Sequence, residues 1–420
     1  MKRSGKIFTT AMLAVTLILP SMGVSADEGN AAANGNEKFR VLVDSADQNS
    51  LKNVKQQYGV HWDFAAEGFT TDMNEKQFNA LEKNKNLTVE KVPELEIATA
   101  TDKPEALYEA MAASQSTPWG IKAIYNNSSI TQTSGGSGIN IAVLDTGVNT
   151  NHPDLKNSVE QCKDFTVGTS FTDNSCTDRQ GHGTHVAGSA LADGGTGSGV
   201  YGVAPDADLW AYKVLGDDGS GYADDIAVAI RHAGDQATAL NTKVVINMSL
   251  GSSGESSLIT NAVDYAYNKG VLIIAAAGNS GPKPGSIGYP GALVNAVAVA
   301  ALEDTIQNGT YRVADFSSRG HKRTAGDYVI QKGDVEISAP GAAVYSTWYD
   351  GGYATISGTS MASPHAAGLA AKIWAQYPTA SNVDIRGDLQ SRAYENDILS
   401  GNSAGSGDDI ASGFGFAKAQ

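Results

Sequence analysis

From about residue 114 onward, the chain alternates short apolar runs with longer segments in which apolar residues recur at helical spacing. Such strand–helix alternation predicts a mostly parallel sheet with helices on both faces, that is, a doubly wound α/β fold. Sites in sheets of this kind lie beyond the carboxyl ends of the strands. The apolar runs cover 139–144, 209–214, 244–248, 271–276 and 294–300, and the helical patterns cover 222–234, 255–269 and 361–376.

The preceding part of the chain has a different pattern of apolar and polar residues, which predicts a small separate α+β domain. Residues 97–113 are rich in Ala, Glu and Thr and predict a linker, so the junction is expected between Glu109 and Ser114. We therefore divide the chain into 27–111 and 112–420. The predicted strands, 39–43, 61–70 and 87–92, and the predicted helices, 50–57 and 75–83, fit a β-α-β-β-α-β ferredoxin-like unit.

The first 26 residues have the pattern of a secretory signal peptide. A basic start is followed by an apolar stretch at 7–20 and by the small residues Val24, Ser25 and Ala26. The alternative is a membrane anchor, but an apolar stretch of about 14 residues is shorter than the roughly 20 that a spanning helix needs. We expect export and removal of residues 1–26.

Composition narrows the classes of partner and cofactor. The 420 residues include 30 Lys and Arg against 45 Asp and Glu, a net charge of -15, which makes nucleic acid a poor partner. Clustered carboxylates instead favour hard cations. Two cysteines exclude a Cys-based zinc finger or an iron–sulfur cluster, and export favours a Cys162–Cys176 disulfide over two free thiols.

Two short motifs place candidate catalytic side chains at strand ends or between glycines. In Val-Leu-Asp-Thr-Gly, Asp145 directly follows an apolar strand; a turn residue or a metal ligand is the alternative. In Gly-His-Gly-Thr-His, His182 lies between two glycines and His185 follows three residues later. A zinc pair would need an HExxH arrangement or further Cys or His ligands, and neither accompanies it. His182 is therefore a candidate acid–base residue.

Two further motifs supply a nucleophile and a hydrogen-bond donor. In Gly-Thr-Ser-Met-Ala-Ser-Pro-His, Ser360 begins an Ala-rich helical run, where free N–H groups favour a developing oxyanion. An N-cap serine is the alternative. Asn279 follows the apolar run at 271–276, and its amide can donate to an oxyanion; a turn asparagine is the alternative.

Together these residues form a chemical unit, because a serine hydroxyl needs a base and the base needs a partner that fixes its tautomer. The motifs around Asp145, His182, Asn279 and Ser360 resemble those of the subtilisin family of secreted serine proteases, in particular its cold-adapted Bacillus members. The resemblance implies a subtilisin-like fold and a serine endopeptidase in which Asp145 orients His182, His182 activates Ser360, and Asn279 stabilises the oxyanion. A catalytically inactive binding protein on the same fold is the alternative.

The resemblance also implies a substrate groove, a pro-domain and calcium. Residues 27–111 would act as folding chaperone and inhibitor until Ser360 cuts them off. The mature enzyme would be a secreted monomer that binds polypeptides, without nucleic acid or membrane partners. The uncharged pocket predicts apolar or aromatic P1 side chains. The groove and pocket residues would be Gly219, Ser220, Gly221, Ser249, Leu250, Gly251, Gly278 and Gly288, and the structural Ca²⁺ ligands would be Gln115, Asp154, Asp193, Thr196, Ser198 and Val200.

Overall fold

The computed structural model describes residues 37–98, 116–195 and 197–419. The predicted signal peptide at 1–26 lies outside these residues, as does most of the predicted linker. The larger unit is built on a nine-stranded sheet in which seven neighbouring strands run parallel and an antiparallel strand pairs near each end. This arrangement confirms the mostly parallel sheet expected from the sequence. In spatial order the strands are β14 (Thr310–Val313), β13 (Val297–Gln307), β12 (Leu272–Ala276), β10 (Lys243–Met248), β5 (Ile139–Asp145), β8 (Asp208–Lys213), β6 (Val159–Asp164) and β7 (Thr172–Asp173), with β15 (Ile337–Pro340) paired to β13.

Helices cover both faces of this sheet, which is why its central strands carry apolar side chains on both faces. All seven residues of β5 are buried. Ile141 and Val143 belong to the core on one face, and Ala142 and Leu144 belong to the core on the other. The helices are α3 (Trp119–Ile124), α4 (His182–Leu191), α5 (Ala223–Ala239), α6 (Ser257–Asn268), α7 (Thr359–Gln376) and α8 (Asn382–Tyr394), and a separate hairpin joins β16 (Val344–Thr347) to β17 (Tyr353–Ile356). Among the described residues, no helix is both long enough and apolar enough to cross a membrane.

The smaller unit packs two helices on a three-stranded antiparallel sheet whose first strand in sequence lies in the middle. Asn74 and Gln77 form a reciprocal capping box that begins its second helix. A fourth strand, β4 (Glu94–Ile97), leaves this sheet and pairs with the larger unit. The elements of the sheet and its helices are β1 (Lys38–Asp44), α1 (Gln48–Tyr58), β2 (Phe69–Asn74), α2 (Glu75–Glu82) and β3 (Thr88–Lys91).

The prediction of a single strand at 61–70 is wrong. The segment folds back on itself, with His61 N donating to Thr70 O at 2.7 Å and Phe64 N donating to Gly68 O at 2.9 Å. Gly68 has φ +99°, and a Cβ there would lie 2.4 Å from Val43 O. A glycine is therefore needed where the chain reverses, and only the residues after it continue as β2.

The predicted disulfide is confirmed. Cys162 on β6 is bonded to Cys176, and their Cα atoms are 5.2 Å apart. The backbone carbonyl of Cys176 accepts a hydrogen bond from Val148 N at 2.8 Å. A Cβ on Gly147 would lie 2.4 Å from that carbonyl, so the bridged loop packs closely on the turn that follows Asp145. The disulfide thus braces the backbone beside a candidate catalytic residue.

His232 on α5 predicts an acid-sensitive stability. It lies among aromatic rings, with ring centroids 4.6 Å from Phe171 and 5.7 Å from Tyr212. Burial, and next the nearby charge of Lys163, lower the pKa of His232 from 6.5 to about 4, while Asp235 and Asp173 oppose this shift. Between pH 6.5 and 4, His232 therefore binds a proton in the unfolded chain but not in the folded one. The free energy of unfolding decreases as the pH is lowered through this range, by up to about 1.4 kcal/mol per pH unit.

The substitution His232→Phe should remove this contribution, because a phenyl ring keeps the aromatic contacts without titrating. Melting temperatures are to be compared at pH 7.5 and 4.5 in a Ser360→Ala background, which prevents autolysis. The loss on acidification should be smaller in the His232→Phe protein. Equal losses in the two proteins would show that His232 does not carry the effect.

Candidate active site

Asp145 and His182 form a buried hydrogen-bonded pair. His182 Nδ1 lies 2.8 Å from Asp145 Oδ1, and the two residues are 1% and 0% exposed. Because an ionised carboxylate only accepts hydrogen bonds, the nitrogen facing Asp145 carries the proton. A Cβ on Gly183 would lie 2.1 Å from Gly147 O, so glycine allows the helix start to approach the strand end. Among the described residues, no atom hydrogen-bonds the buried Nε2 of His182, which can take a proton.

Asp178 fixes the helix start that carries His182, and sequence reasoning missed it. Its Oδ1 accepts from Gly181 N at 2.8 Å, and its Oδ2 accepts from Thr184 N at 3.0 Å and Thr184 Oγ1 at 2.6 Å. Oδ1 also accepts from Thr146 Oγ1, the residue next to Asp145. An acidic residue just before a helix start is a known N-terminal signal that could have identified it.

Ser360 lies in the first turn of α7, which begins at Thr359 rather than at the predicted position 361. Its Oγ lies 2.5 Å from the carbonyl oxygen of Ala98 and 2.9 Å from Ser249 O. Ser249 Oγ in turn donates to Ser360 O at 2.8 Å, which fixes the backbone of the serine. The Ser360 hydroxyl therefore faces a peptide carbonyl of the preceding unit.

Two donors converge on that same carbonyl. Asn279 Nδ2 donates to Ala98 O at 2.5 Å, and Ser360 N donates at 3.3 Å. The Asn279 Oδ1 atom accepts from Thr359 N at 3.0 Å and from Thr359 Oγ1 at 3.1 Å, so the amide nitrogen must point towards Ala98. Thr359 was not predicted, because its role depends on a contact across 80 residues of sequence. This geometry is that of an oxyanion hole.

The predicted groove residues lie on either side of β4, which runs antiparallel to both neighbours. On one side are Gly219 and β9 (Ser220–Tyr222), and on the other are Ser249 and β11 (Leu250–Gly251). Ile97 N donates to Gly219 O at 3.0 Å, and Ala98 N donates to Ser249 O at 3.2 Å. This is strand addition, in which the backbone supplies the recognition.

A cavity of about 490 Å³ opens beside Ala98. The predicted residues Gly251, Gly278 and Gly288 line it with Ser252 and Ile287. The catalytic domain contributes no charged side chain to its lining. An apolar side chain larger than a methyl group therefore fits this cavity without meeting a charge of the larger unit, and the charged residue in the lining, Glu96, belongs to β4 itself.

Leu95, three residues before Ala98, occupies a separate apolar site. It is 1% exposed and belongs to the apolar cluster that includes Leu215, Ile226 and Leu250. The strand in the groove is thus anchored by one apolar side chain as well as by its backbone.

Buried charges hold the smaller domain on the larger one. Arg40 Nη1 lies 2.7 Å from Asp224 Oδ2 and 3.5 Å from Asp225 Oδ1, and both carboxylates are in the first turn of α5. Trp62 Nε1 donates to Asp225 Oδ1 at 2.6 Å, and Thr70 Oγ1 donates to Asp224 Oδ2 at the same distance. A buried carboxylate is destabilising without such partners. The smaller domain supplies the partners of Asp224 and Asp225 only when it is docked on the larger one.

Of the residues predicted to bind calcium, Asp193 and Val200 hydrogen-bond to Asp154, which carries a buried carboxylate. Asp154 is 1% exposed, and its Oδ2 accepts from Val200 N at 2.8 Å. A Cβ on Gly195 or Gly199 would lie 2.6 or 2.0 Å from Asp154 Oδ1, so the loop needs glycine to wrap the carboxylate. The Asp193 carboxylate accepts from Gly195 N and from Asn157, Ser198 is exposed, and Gln115 and Thr196 lie outside the described residues.

Comparison with known proteins agrees with this geometry. Residues 136–415 match the family model described as Subtilase family, peptidase S8. A subtilisin from Bacillus sp. (strain TA39) is 89% identical over 420 residues, which is the full length of both chains. An M-protease from Shouchella clausii (strain KSM-K16) is 37% identical over 91% of this chain and 93% of its own.

Two solved protease structures are also similar to this chain. The S41 psychrophilic protease is 93% identical, with a TM-score of 0.73 over 74% of this chain and 100% of its own. Sphericase is 72% identical, with a TM-score of 0.73 over 73% of this chain and 100% of its own. The chain therefore belongs to the subtilase family and is a serine endopeptidase.

Proposed function

We propose that the chain is the precursor of a secreted, monomeric endopeptidase that prefers apolar or aromatic P1 residues and removes its own N-terminal domain. The observation that carries this proposal is β4 in the groove, with Ala98 O in the oxyanion hole. The signal-like residues 1–26 support export, and residues 27–111 would remain as an inhibitory pro-domain until they are cut off. Arg40 and its partners on α5 support the inhibitory docking.

The geometry supports the following reaction for a bound polypeptide. Ser360 Oγ attacks the carbonyl carbon, and His182 Nε2 takes the hydroxyl proton while Asp145 stabilises the resulting imidazolium. Asn279 Nδ2 and Ser360 N donate to the oxyanion. His182 then gives its proton to the leaving amine, and water hydrolyses the acyl-enzyme. A binding protein without catalysis would need neither the Asp145–His182 pair nor the two donors that meet Ser360 Oγ at Ala98 O.

The P1 preference is tested with tetrapeptide p-nitroanilides that share Leu at P4 and differ at P1. Peptides with P1 Phe or Leu should have kcat/KM values about 10- to 100-fold above that with Lys, because the pocket offers no partner for a buried ammonium group. The Ser360→Ala protein, incubated with the same peptides, measures any contaminating protease. A preference for Lys or Arg would overturn this part of the proposal.

We propose further that the loop around Asp154 binds a structural Ca²⁺ ion. Its support is chemical: a buried carboxylate lies inside a glycine-rich loop whose carbonyls can serve as hard oxygen ligands. Each carboxylate accepts two hydrogen bonds, but those to Asp154, from Val200 N and Tyr353 Oη, are both on Oδ2 and leave Oδ1 for a cation, whereas those to Asp193 occupy both of its oxygens. Bound calcium would stabilise the loop and would take no part in peptide hydrolysis.

Chelation should lower the melting temperature of the Ser360→Ala protein by about 5 °C or more, as expected for loss of an ion held at roughly 100 times its Kd. Adding Ca²⁺ should restore it, and Mg²⁺ should not. The Asp154→Asn variant should melt lower and respond less to either treatment. Equal melting temperatures with and without chelator would rule out a stabilising calcium ion at this loop.

A further inference from the structure

We propose that Ser360 makes its first cut after Ala98, about 13 residues before the expected start of the mature domain at residue 112, and that residues 99–111 are removed in a second cut. This inference rests on the self-processing proposed above and specifies its position and order. It differs from a single cut at the junction expected from the sequence, between Glu109 and Ser114.

The carbonyl of Ala98 is the one placed for attack. Its oxygen accepts hydrogen bonds from Ser360 Oγ at 2.5 Å and from both oxyanion donors, Asn279 Nδ2 and Ser360 N, so the carbonyl carbon lies beside the serine hydroxyl. The amide of Ala98 is also used, donating to Ser249 O at 3.2 Å. Attack on this carbon breaks the bond to Thr99, forms an ester between Ser360 and Ala98, and releases the Thr99 amine with the proton from His182. Water then frees the Ala98 carboxylate.

The register of β4 opposes a cut at a neighbouring bond. Its residues alternate between acidic and apolar, and Leu95 fills the apolar site between Glu94 and Glu96. A slip by one residue would exchange the two faces of the strand and drive a glutamate into that site. This substitution of a charge for Leu95 carries a large desolvation cost.

A slip by two residues is opposed by the connection to the smaller domain. Only Val92 and Pro93 join β3 to β4. Val92 N donates to Arg40 O at 3.0 Å, and Pro93 O accepts from Ala223 N at 2.9 Å. Moving the strand two residues along the groove is a shift of about 6.6 Å, which this tethered connection cannot supply.

The length of a solved relative indicates that a further cut follows. The S41 psychrophilic protease corresponds to 74% of this chain, which is about 310 residues of 420, and this chain covers all of it. A cut after Ala98 alone would leave about 322 residues. A second cut after residue 111 would place Met111 at P1, and this apolar side chain suits the uncharged pocket.

The test follows the fragments of the full-length protein over time after folding, with aliquots quenched by a serine-protease inhibitor and analysed by intact mass and N-terminal sequencing. The wild type should first yield a fragment that ends at Ala98 and a partner that begins at Thr99, and the partner should later shorten. First fragments that end between Glu109 and Ser114, without any that end at Ala98, would overturn the proposal.

Three variants sharpen the result. Ala98→Pro removes the N–H that donates to Ser249 O and should slow the first cut at least about tenfold, whereas the matched linker variant Ala106→Pro should leave it unchanged. Ala98→Phe fills the cavity and should still be cut after residue 98, which keeps the test decisive if the proline variant misfolds. A first cut that moves elsewhere in Ala98→Phe, or proceeds at the normal rate in Ala98→Pro, contradicts the proposal.

The same experiment separates this inference from self-processing itself. The Ser360→Ala precursor should stay uncut in purified form. If it is cut after Ala98, another protease makes the cut and self-processing fails. If Ser360→Ala stays uncut while the wild type is cut first at another bond, self-processing holds and the assignment to Ala98 fails.

Discussion

Replacing Ser360 with alanine will abolish peptide hydrolysis and leave the purified precursor uncut. The hydroxyl is the only nucleophile that faces Ala98 O together with the oxyanion donors in the described part of the chain. In subtilisin itself, loss of the serine lowers kcat by about 2 × 10⁶-fold, and we carry that value over from this family member rather than derive it. Hydrolysis of a peptide p-nitroanilide and intact mass of the precursor measure the two effects.

The matched control is Ser357→Ala, close to Ser360 in sequence. Ser357 Oγ accepts a hydrogen bond from Ala343 N, away from the hydrogen bonds that Ala98 O accepts. This variant should keep wild-type processing and activity within about threefold, since loss of one such bond costs about 1 kcal/mol of stability at most sites. If Ser360→Ala retained activity within tenfold of the wild type, the assignment of the nucleophile would be wrong.

Replacing Asn279 with leucine will lower kcat while changing KM little. Asn279 Nδ2 is one of two donors to the carbonyl oxygen, and its bond strengthens only as that oxygen gains charge. The corresponding loss in subtilisin, through its own oxyanion asparagine, is about 10²- to 10³-fold in kcat, and the size is again taken from that relative. Steady-state kinetics on a tetrapeptide substrate separate kcat from KM.

Thr359→Val provides the graded comparison for this prediction. The valine keeps the shape of the side chain but removes the hydroxyl that donates to Asn279 Oδ1 and accepts from Gly278 N. Because Thr359 N still holds the amide, the fall in kcat should be smaller than in Asn279→Leu and should also leave KM little changed. A fall in Asn279→Leu that lies mainly in KM would show that Asn279 binds the ground state rather than the transition state.

The groups proposed to carry the chemistry could be named from the sequence alone, because each belongs to a short local motif. Asp145 ends a buried strand, His182 begins a helix between glycines, and Ser360 lies at the start of the Ala-rich helix α7. The central sheet was predictable for the same reason: β-branched runs buried on two faces are distinctive. At Asp145, His182 and Ser360, the residues that define the local secondary structure also include the proposed reactive side chain.

What the sequence does not reveal depends on contacts between distant segments. The 97–113 stretch predicts only a linker, yet its residue Ala98 meets Ser360 across 262 positions. Arg40 meets Asp224 across 184 positions, and nothing near either residue signals the other. The 61–70 segment has the composition of one strand, but a backbone that only Gly68 can adopt turns it into a hairpin. Tertiary packing decided each of these cases.

The most direct test of the central claim is fluorophosphonate labelling of the mature enzyme, followed by intact mass and peptide mapping. A single label should appear on Ser360 in the wild type, in step with the loss of peptide hydrolysis. No label should appear in His182→Ala, whose serine lacks its base, after added wild-type enzyme has removed its N-terminal domain and has itself been separated from it. A label on another residue, or full peptide hydrolysis by a fully labelled enzyme, would contradict the assignment of this site as the catalytic centre.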